Sequence, residues 1–309
     1  MHANKNNTLL IKAGGGGFLY EGIRGEGYQV FNPYVEHNLF ERILREICFR
    51  LKILPHKIWY NKKIKRFPAD FIFVWDTLIT KDFLEWIYNL FPNAQRNFIY
   101  FNMVGKAKHL HPKEIPSSFK IWTYDNYDSS LYGINFYQHS PFFKTFIKPK
   151  QNIEYDVIFV GADKGRGDYL VNLDKKMQSL GLRTHFVIVA TGRLSKKKDY
   201  YQPSLPYGRV IELITKTKAI LNVAMENQQG ITLRDMESIF LNVKLLTTNK
   251  NIVNQDFYCP NNVYVVENLN LDNFLDFMKK PYIPVNQRIK EKYTFDSFIR
   301  EITESTESL

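Results

Sequence analysis

Cysteine is almost missing from this chain: two in 309 residues, Cys48 within an apolar helical pattern and Cys259 in a polar loop. That is too few, and wrongly spaced, for a disulfide framework or a zinc site, so a reducing cytoplasm is the expected home. No run approaches the ~20 apolar residues that span a bilayer. The opening MHANKNNTLLIK has neither a long apolar h-region nor a small-residue cleavage pattern. The expectation is a soluble protein that at most rests on a membrane. Internal repeats and low-complexity tracts are absent. Acidic residues are in deficit, 31 against 42 lysines and arginines, giving a net charge of +11. Such a surface attracts an anionic partner, whether a nucleotide, a phospholipid face or a polynucleotide, and charge alone does not choose among them.

What is present is a length suited to two domains, with 44% hydrophobic residues to fill their cores. Short β-rich runs alternate with amphipathic helical stretches, the pattern of α/β layers. In the first half, strands are expected at residues 8–12, 57–60, 71–75, 97–101 and 119–124, with a helix over 81–90. Leu39, Ile43, Ile47 and Leu51 recur every fourth residue and form the apolar stripe of another helix. Strands such as FIFVW are continuously apolar, as in a parallel sheet covered on both faces. Between 140 and 154 the text SPFFKTFIKPKQNIE loses any sustained period and reads as the connection between domains. A second series follows, with strands at 155–160, 185–190, 219–223, 243–247 and 263–266 and helices at 167–180, 209–216, 232–241, 272–279 and 295–302. The expected fold class is α/β: two Rossmann-like domains, 1–145 and 146–309, the second carrying the C-terminal helices. They would face a cleft between the carboxyl ends of their strands, where such sheets bind ligands.

The sharpest local signal is AMENQQGITLRDMESIFLNVKLLTTN, which follows the strand at 219–223. Gln229 and Glu237 stand eight apart, Gly230 permits close approach to the main chain, and Thr232 is placed to cap a helix. The amides of Ile231 to Arg234 then point toward whatever lies at the helix start, where the helix dipole favours an anion. Arg234 can neutralise diphosphate charge, and Glu237, almost two turns in, can reach the vicinal hydroxyls of a ribose. The plain alternative is a capped helix whose arginine and glutamate are solvated.

This stretch resembles the donor-site motif of GT-B glycosyltransferases, in which two acids eight residues apart bracket a glycine-containing turn and a helix, followed at once by a strand. Here the second acid is Glu237, and the first is replaced by Gln229. The resemblance implies that Glu237 meets the ribose and that Gln229 lies near the sugar, where it hydrogen-bonds hydroxyls without bringing charge. It extends to YDVIFVGADKGRGDYL, a strand whose glycine loop, opened by Gly161, carries Lys164 and Arg166 toward the diphosphate. No Walker loop is present there, because the lysine is not followed by Ser or Thr in a glycine-spaced frame. At scattered positions, including WTYD at 122–125, residues 207–220, LLTTNKNI and DFY, the chain is similar to bacterial polysaccharide and lipopolysaccharide glycosyltransferases. GT-B enzymes generally need no metal, and no Asp-X-Asp of the metal-using GT-A kind ends a strand here.

Four other features bear on chemistry. Gly14, Gly15 and Gly16, within AGGGGF, follow the first strand and suit close approach or unusual torsions; in GT-B enzymes this loop can meet acceptor or donor phosphate. An inverting transfer needs a base, and Asp76 and Asp125, each ending an apolar strand, are the candidates; either can instead cap a helix. His109 and His111 have no third metal ligand in view. Finally, Lys62, Lys63, Lys65 and Arg66 beside Trp59 and Tyr60, and Lys144, Lys148 and Lys150 among Phe142, Phe143 and Phe146, suit a membrane interface or single-stranded nucleic acid. Lys196 to Lys198 read as solvated charge.

The expected protein is therefore a metal-independent GT-B glycosyltransferase of surface-polysaccharide assembly, peripheral at the inner face of the cytoplasmic membrane. Its donor is a nucleotide-diphosphate sugar, with Gly230, Ile231 and Thr232 at the diphosphate and no other cofactor. Its acceptor is a lipid-linked glycan, its surface partner an anionic membrane, and nucleic acid is not an expected partner. The rival class, motivated by Gln229, is a non-catalytic GT-B-like subunit that grips glycan or lipid.

Overall fold

The computed structural model describes residues 2–305 apart from 15–16, 36–37, 52, 54, 105–109, 138–140, 193–196, 226–229 and 268. Met1–Gln138 and Phe295–Leu309 form one compact unit, His139–Thr294 the other. In chain order the first unit holds β1 (Thr8–Ile11), α1 (Phe18–Gly25), β2 (Val30–Phe31), α2 (Leu39–Leu51), β3 (Phe71–Trp75), α3 (Lys81–Leu90), β4 (Gln95–Tyr100), β5 (Lys120–Thr123), α4 (Asn126–Tyr132) and β6 (Asn135–Phe136). The second holds β7 (Tyr155–Ala162), α5 (Gly167–Ser179), β8 (Thr184–Val189), α6 (Tyr207–Thr215), β9 (Thr217–Asn222), α7 (Leu233–Leu241), β10 (Lys244–Thr247), β11 (Val263–Val265), α8 (Phe274–Lys279) and α9 (Gln287–Lys292). The last helix, α10 (Phe295–Glu304), belongs to the first unit.

Both sheets are parallel, in the orders β2-β1-β3-β4-β5-β6 and β11-β10-β9-β7-β8. Continuous apolar runs drive this arrangement: every residue of FIFVW and of TLLI is buried, which requires cover on both faces of the sheet. Two Rossmann-like α/β units are thus formed, as the alternation of runs predicts. Local chemistry sets the helix ends. Thr80 accepts the Phe83 amide at the start of α3, and Gly181 adopts φ +80 after α5, where Leu182 N–H returns to the Met177 carbonyl.

The differences from the sequence reading have physical causes. Residues 57–60, read as a strand, form a 3-10 turn (His56–Trp59) started by Pro55 at φ −58, with Ile58 N–H on the Pro55 carbonyl. The helix α10 leaves the 146–309 domain because its apolar face, Phe295, Phe298, Ile299 and Ile302, is buried in the first unit. There Phe298 packs on Phe73, Trp75 and Tyr137, and Tyr28 donates to Asp296 at 2.9 Å. The stretch at 140–154 is more than a connection: Phe142 stacks on Phe240 at 4.6 Å, and both Phe142 and Phe143 are fully buried. Most rings expected at a membrane or nucleic-acid surface are therefore interior; Tyr60 is a core residue too, and Trp59 packs against the same core. The apolar stripe of α2, by contrast, faces solvent.

One buried carboxylate couples this fold to pH. Asp156, at the start of β7, pairs with Lys218 at 2.8 Å and Arg183 at 3.2 Å. Burial alone would raise its carboxyl, but hydrogen bonds from Lys218 and Arg183 outweigh burial and hold it at about 2. A folded-state value below the unfolded one adds stability that is complete above about pH 4 and is lost as pH falls toward 2, here about 1–2 kcal/mol given the exposed partners. Urea titrations of wild type and Asp156→Asn should show midpoints that differ at pH 6 and converge by pH 2; a constant difference would contradict this role.

Candidate functional site

In a parallel sheet the ligand site lies beyond the carboxyl ends of the strands, where the strand order reverses. In the second unit the chain leaves β7 toward β8 on one side and returns to β9 on the other, so the reversal falls between β7 and β9. A cavity of about 200 Å³ opens there, lined from β7 by Phe159 and Val160, from β9 by Leu221 and Asn222, and beyond them by Val223 and Met225. The loop after β7 adds Lys164 and Arg166, and the start of α7 adds Thr232, Leu233 and Arg234. Among the described residues its lining holds three cations and no acid.

The loop Asp163-Lys164-Gly165-Arg166 is shaped by its own carboxylate. Asp163 accepts the Gly167 amide at 2.6 Å and the Tyr201 hydroxyl, while Lys164 and Gly165 take φ +49 and +84. Burial pushes the Asp163 carboxyl up, but those bonds and the amides of Arg166 and Gly165 together hold it below its ordinary value. The amides of Gly165, Arg166 and Gly167 thus serve Asp163 and that of Lys164 donates to Thr191 Oγ1 at 2.6 Å, so what the loop offers a ligand is its side chains. A Cβ at Gly167 would fall 2.7 Å from Asp163 Oδ2, so only glycine fits at the start of α5.

Arg166 and Arg234 lie near enough to repel. Burial lowers the Arg166 guanidinium to about 10; Asp163 opposes that and the Arg234 charge adds to it. Arg166 Nε is buried with no hydrogen-bond partner, its Nη2 makes only a 3.4 Å contact to the Ala162 carbonyl, and its guanidinium lies 5.6 Å from the Phe159 ring. Arg234 is held more firmly: Nη2 donates to the Val160 carbonyl at 2.8 Å, and Nη1 pairs with Glu237.

Glu237 lies behind this surface. It is 0% exposed, its Oε1 accepts the Tyr207 hydroxyl at 2.9 Å, and its Oε2 is engaged by Arg234. Burial drives its carboxyl up against the pull of Arg234 and the Tyr207 hydrogen bond. It orients Arg234 in this structure and does not line the cavity. At the start of α7, Asp235 accepts the Thr232 amide at 2.7 Å and the Thr232 hydroxyl at 2.9 Å, while Asn222 Nδ2 donates to Asp235 at 2.8 Å and Thr232 at 3.1 Å. Asn222 and Asp235 are therefore supporting residues that the sequence reading missed; the signal was a polar residue closing the apolar strand TKAILN.

Of the other expected donor residues, Gly230 and Ile231 are buried beside the cavity's α7 edge in sequence but do not line it, and Gly161 packs close to the Phe159 ring. Gln229 lies outside the described residues.

In the first unit the corresponding reversal falls between β1 and β3. Their carboxyl ends present Lys12 and Asp76, which attract each other: burial lowers the Lys12 ammonium while Asp76 pulls it up. Gly14 follows at φ +86, exposed and with open space around it; Gly15 and Gly16 lie outside the described residues. Asp76 is fully buried and accepts the Thr77 hydroxyl at 3.3 Å. Asp125 has the capping role: it starts α4, its Oδ1 accepting the amides of Tyr127 at 3.0 Å and Asp128 at 3.3 Å. His111 caps a short turn through Lys113 N–H, and His109 lies outside the described residues. Another cavity, of about 500 Å³ and lined by Lys5, Lys63, Arg66 and Phe67 among others, lies where residues just before β1 and β3 meet, at the opposite ends of the strands.

No protein-family model matches the chain, and no curated protein matches it. Among solved structures it is similar to the crystal structure of the DNA-modifying enzyme β-glucosyltransferase, determined in the presence and absence of the substrate uridine diphosphoglucose. The likeness covers 97% of this chain and 94% of that one, at 14% identity and a TM-score of 0.48.

Proposed function

We propose that the second unit binds the diphosphate of a nucleotide-diphosphate sugar and that the protein is a glycosyltransferase acting on a lipid-linked glycan in surface-polysaccharide assembly, peripheral at the inner face of the cytoplasmic membrane. One observation carries the reading: among the described residues, Lys164, Arg166 and Arg234 line a cavity at the strand-order reversal of the second sheet with no acid beside them. About 200 Å³ suits a diphosphate rather than a whole nucleotide sugar, so nucleoside and sugar extend from it on either side.

In the transfer the acceptor hydroxyl oxygen bonds to the anomeric carbon as the bond from that carbon to the diphosphate oxygen breaks. The electron pair leaves with the diphosphate, where the three cations stabilise it. The hydroxyl proton passes to a base, and Asp76 is the carboxylate left for that role once Asp125 is assigned to capping. The sequence resemblance to GT-B enzymes supports the metal-independent transfer and the lipid-linked acceptor.

Calorimetric titration of the full chain tests the reading. Nucleoside diphosphates should bind with a Kd in the micromolar range, and the matching nucleosides about 100-fold more weakly, since two or more charge-assisted bonds are lost. Equal affinity for both, or no binding of either, would end the proposal. Binding without transfer or hydrolysis of any nucleotide sugar would instead identify a non-catalytic glycan- or lipid-gripping subunit.

A further inference from the structure

The helix α2 is mounted with its polar side inward. Its buried residues are Arg45 and Cys48, and the Arg45 guanidinium lies 4.4 Å from the Tyr34 ring centroid. Phe49 on the same side packs on Tyr34 and His56 at 5.3 and 4.3 Å. The opposite side presents Leu39, Phe40, Ile43, Leu44, Ile47 and Leu51, all exposed, with Phe40 at 72% and Leu39 at 68%. At 100° per residue these six occupy an arc of about 140°. Ile53 and Ile58, both exposed, follow in the chain. An apolar patch of this extent marks a surface that is covered in use.

Charge decides what covers it. Residues 39–66 hold nine lysines and arginines against two glutamates, most of the chain's net +11 in 28 residues. Arg50 lies within the apolar arc between Leu39 and Ile43, Arg42 lies outside it and pairs with Glu46 at 3.7 Å, and Lys57, Lys62, Lys63 and Lys65 follow on the adjoining turns, all exposed. A second copy docked face to face would bring these cations against their own duplicates. A polynucleotide would find leucine and isoleucine where stacking needs rings. A helix of 13 residues is about 20 Å long, too short to cross a hydrocarbon core of about 30 Å but suited to lying along its boundary.

We propose that α2 is the membrane-seating element of this protein, an in-plane amphipathic helix whose apolar arc enters the headgroup–acyl boundary of an anionic phospholipid layer while the surrounding lysines and arginines meet lipid phosphates. The inference rests on the peripheral-membrane part of the proposed function and names the surface responsible for it.

Flotation of the full chain with phosphatidylglycerol-rich and with pure phosphatidylcholine vesicles provides the test, comparing wild type with the double variant Phe40→Glu/Leu51→Glu. Both positions are exposed, so the variant should keep the wild-type melting temperature and its affinity for nucleoside diphosphates. Wild type should partition to the anionic vesicles about ten-fold or more over the zwitterionic ones, and the double variant should lose about ten-fold or more of that binding. Wild type that floats with neither vesicle overturns both this surface and the membrane association, leaving nucleotide binding untouched. Wild type and variant that float alike overturn this surface alone. A wild-type dimer in sedimentation that the double variant converts to monomer, with no vesicle binding, assigns the arc to a second copy and overturns the proposal.

Discussion

Glu237→Ala is expected to destabilise the protein by about 3–5 kcal/mol and to weaken nucleoside-diphosphate binding by about ten-fold or more. The carboxylate is fully buried between the Tyr207 hydroxyl and the Arg234 guanidinium. Truncation takes the carboxylate from a half-buried cation and from the Tyr207 hydroxyl, and it leaves Arg234 held to the cavity wall by the Val160 carbonyl alone among the contacts described above. Glu237→Gln keeps the shape and one acceptor, its oxygen turned to Arg234 while its NH2 donates to the Tyr207 phenol oxygen, and burial already raises the Glu237 carboxyl, so the amide should cost less, about 1–2 kcal/mol. Chemical denaturation and calorimetry on the two variants separate orientation of Arg234 from direct contact with ribose. Direct contact would weaken nucleoside binding in both variants with an unchanged melting temperature, and that pattern would refute the positioning role.

The sequence made the position of this residue legible but not its direction. Spacing placed Glu237 almost two turns into a helix that begins at a phosphate-suited end, and α7 does begin just after its cap Thr232. Which way a side chain at that position points depends on the neighbouring helix on the same face of the sheet, and Tyr207 lies 30 residues away on α6. Lys164, Arg166, Thr232 and Arg234 were legible because loops at strand ends converge on a reversal point whatever their detailed torsions. Asp76 and Asp125 occupied equivalent places in the text, each closing an apolar strand. Only the backbone after them separates the two: Asp125 is followed at once by a helix whose amides it accepts, whereas α3 starts five residues after Asp76, behind its own cap Thr80.

Periodicity alone shows that a stripe exists, not that it is buried. The fourth-residue recurrence from Leu39 to Leu51 does form a helix, yet its apolar side is outward because Tyr34 and Phe49 fix Arg45 beneath it. The converse holds at α10, where another amphipathic stretch far along the chain packs into the first unit and completes its core. Which face of a helix is buried depends on distant surfaces and required coordinates, whereas the misread strand at 57–60 has its cause beside it in Pro55.

Arg166→Met should show opposite effects on stability and on binding. Without a ligand, the wild-type side chain is poorly served: Nε has no partner, burial and Arg234 both disfavour its charge, and only Asp163 and the Phe159 ring compensate. Methionine retains the apolar stem and removes the buried charge, so the melting temperature should stay the same or rise, by up to about 1 kcal/mol in stability. A bound diphosphate supplies the missing counter-charge and accepts from the free Nε, and a charge-assisted pair in such a setting contributes about 1.5–3 kcal/mol. Affinity for nucleoside diphosphates should accordingly fall about 10- to 100-fold while the folded state is no weaker. Differential scanning calorimetry beside isothermal titration reads both signs. A melting temperature that drops with affinity unchanged would make Arg166 a structural residue and remove one of the three cations on which the phosphate seat depends.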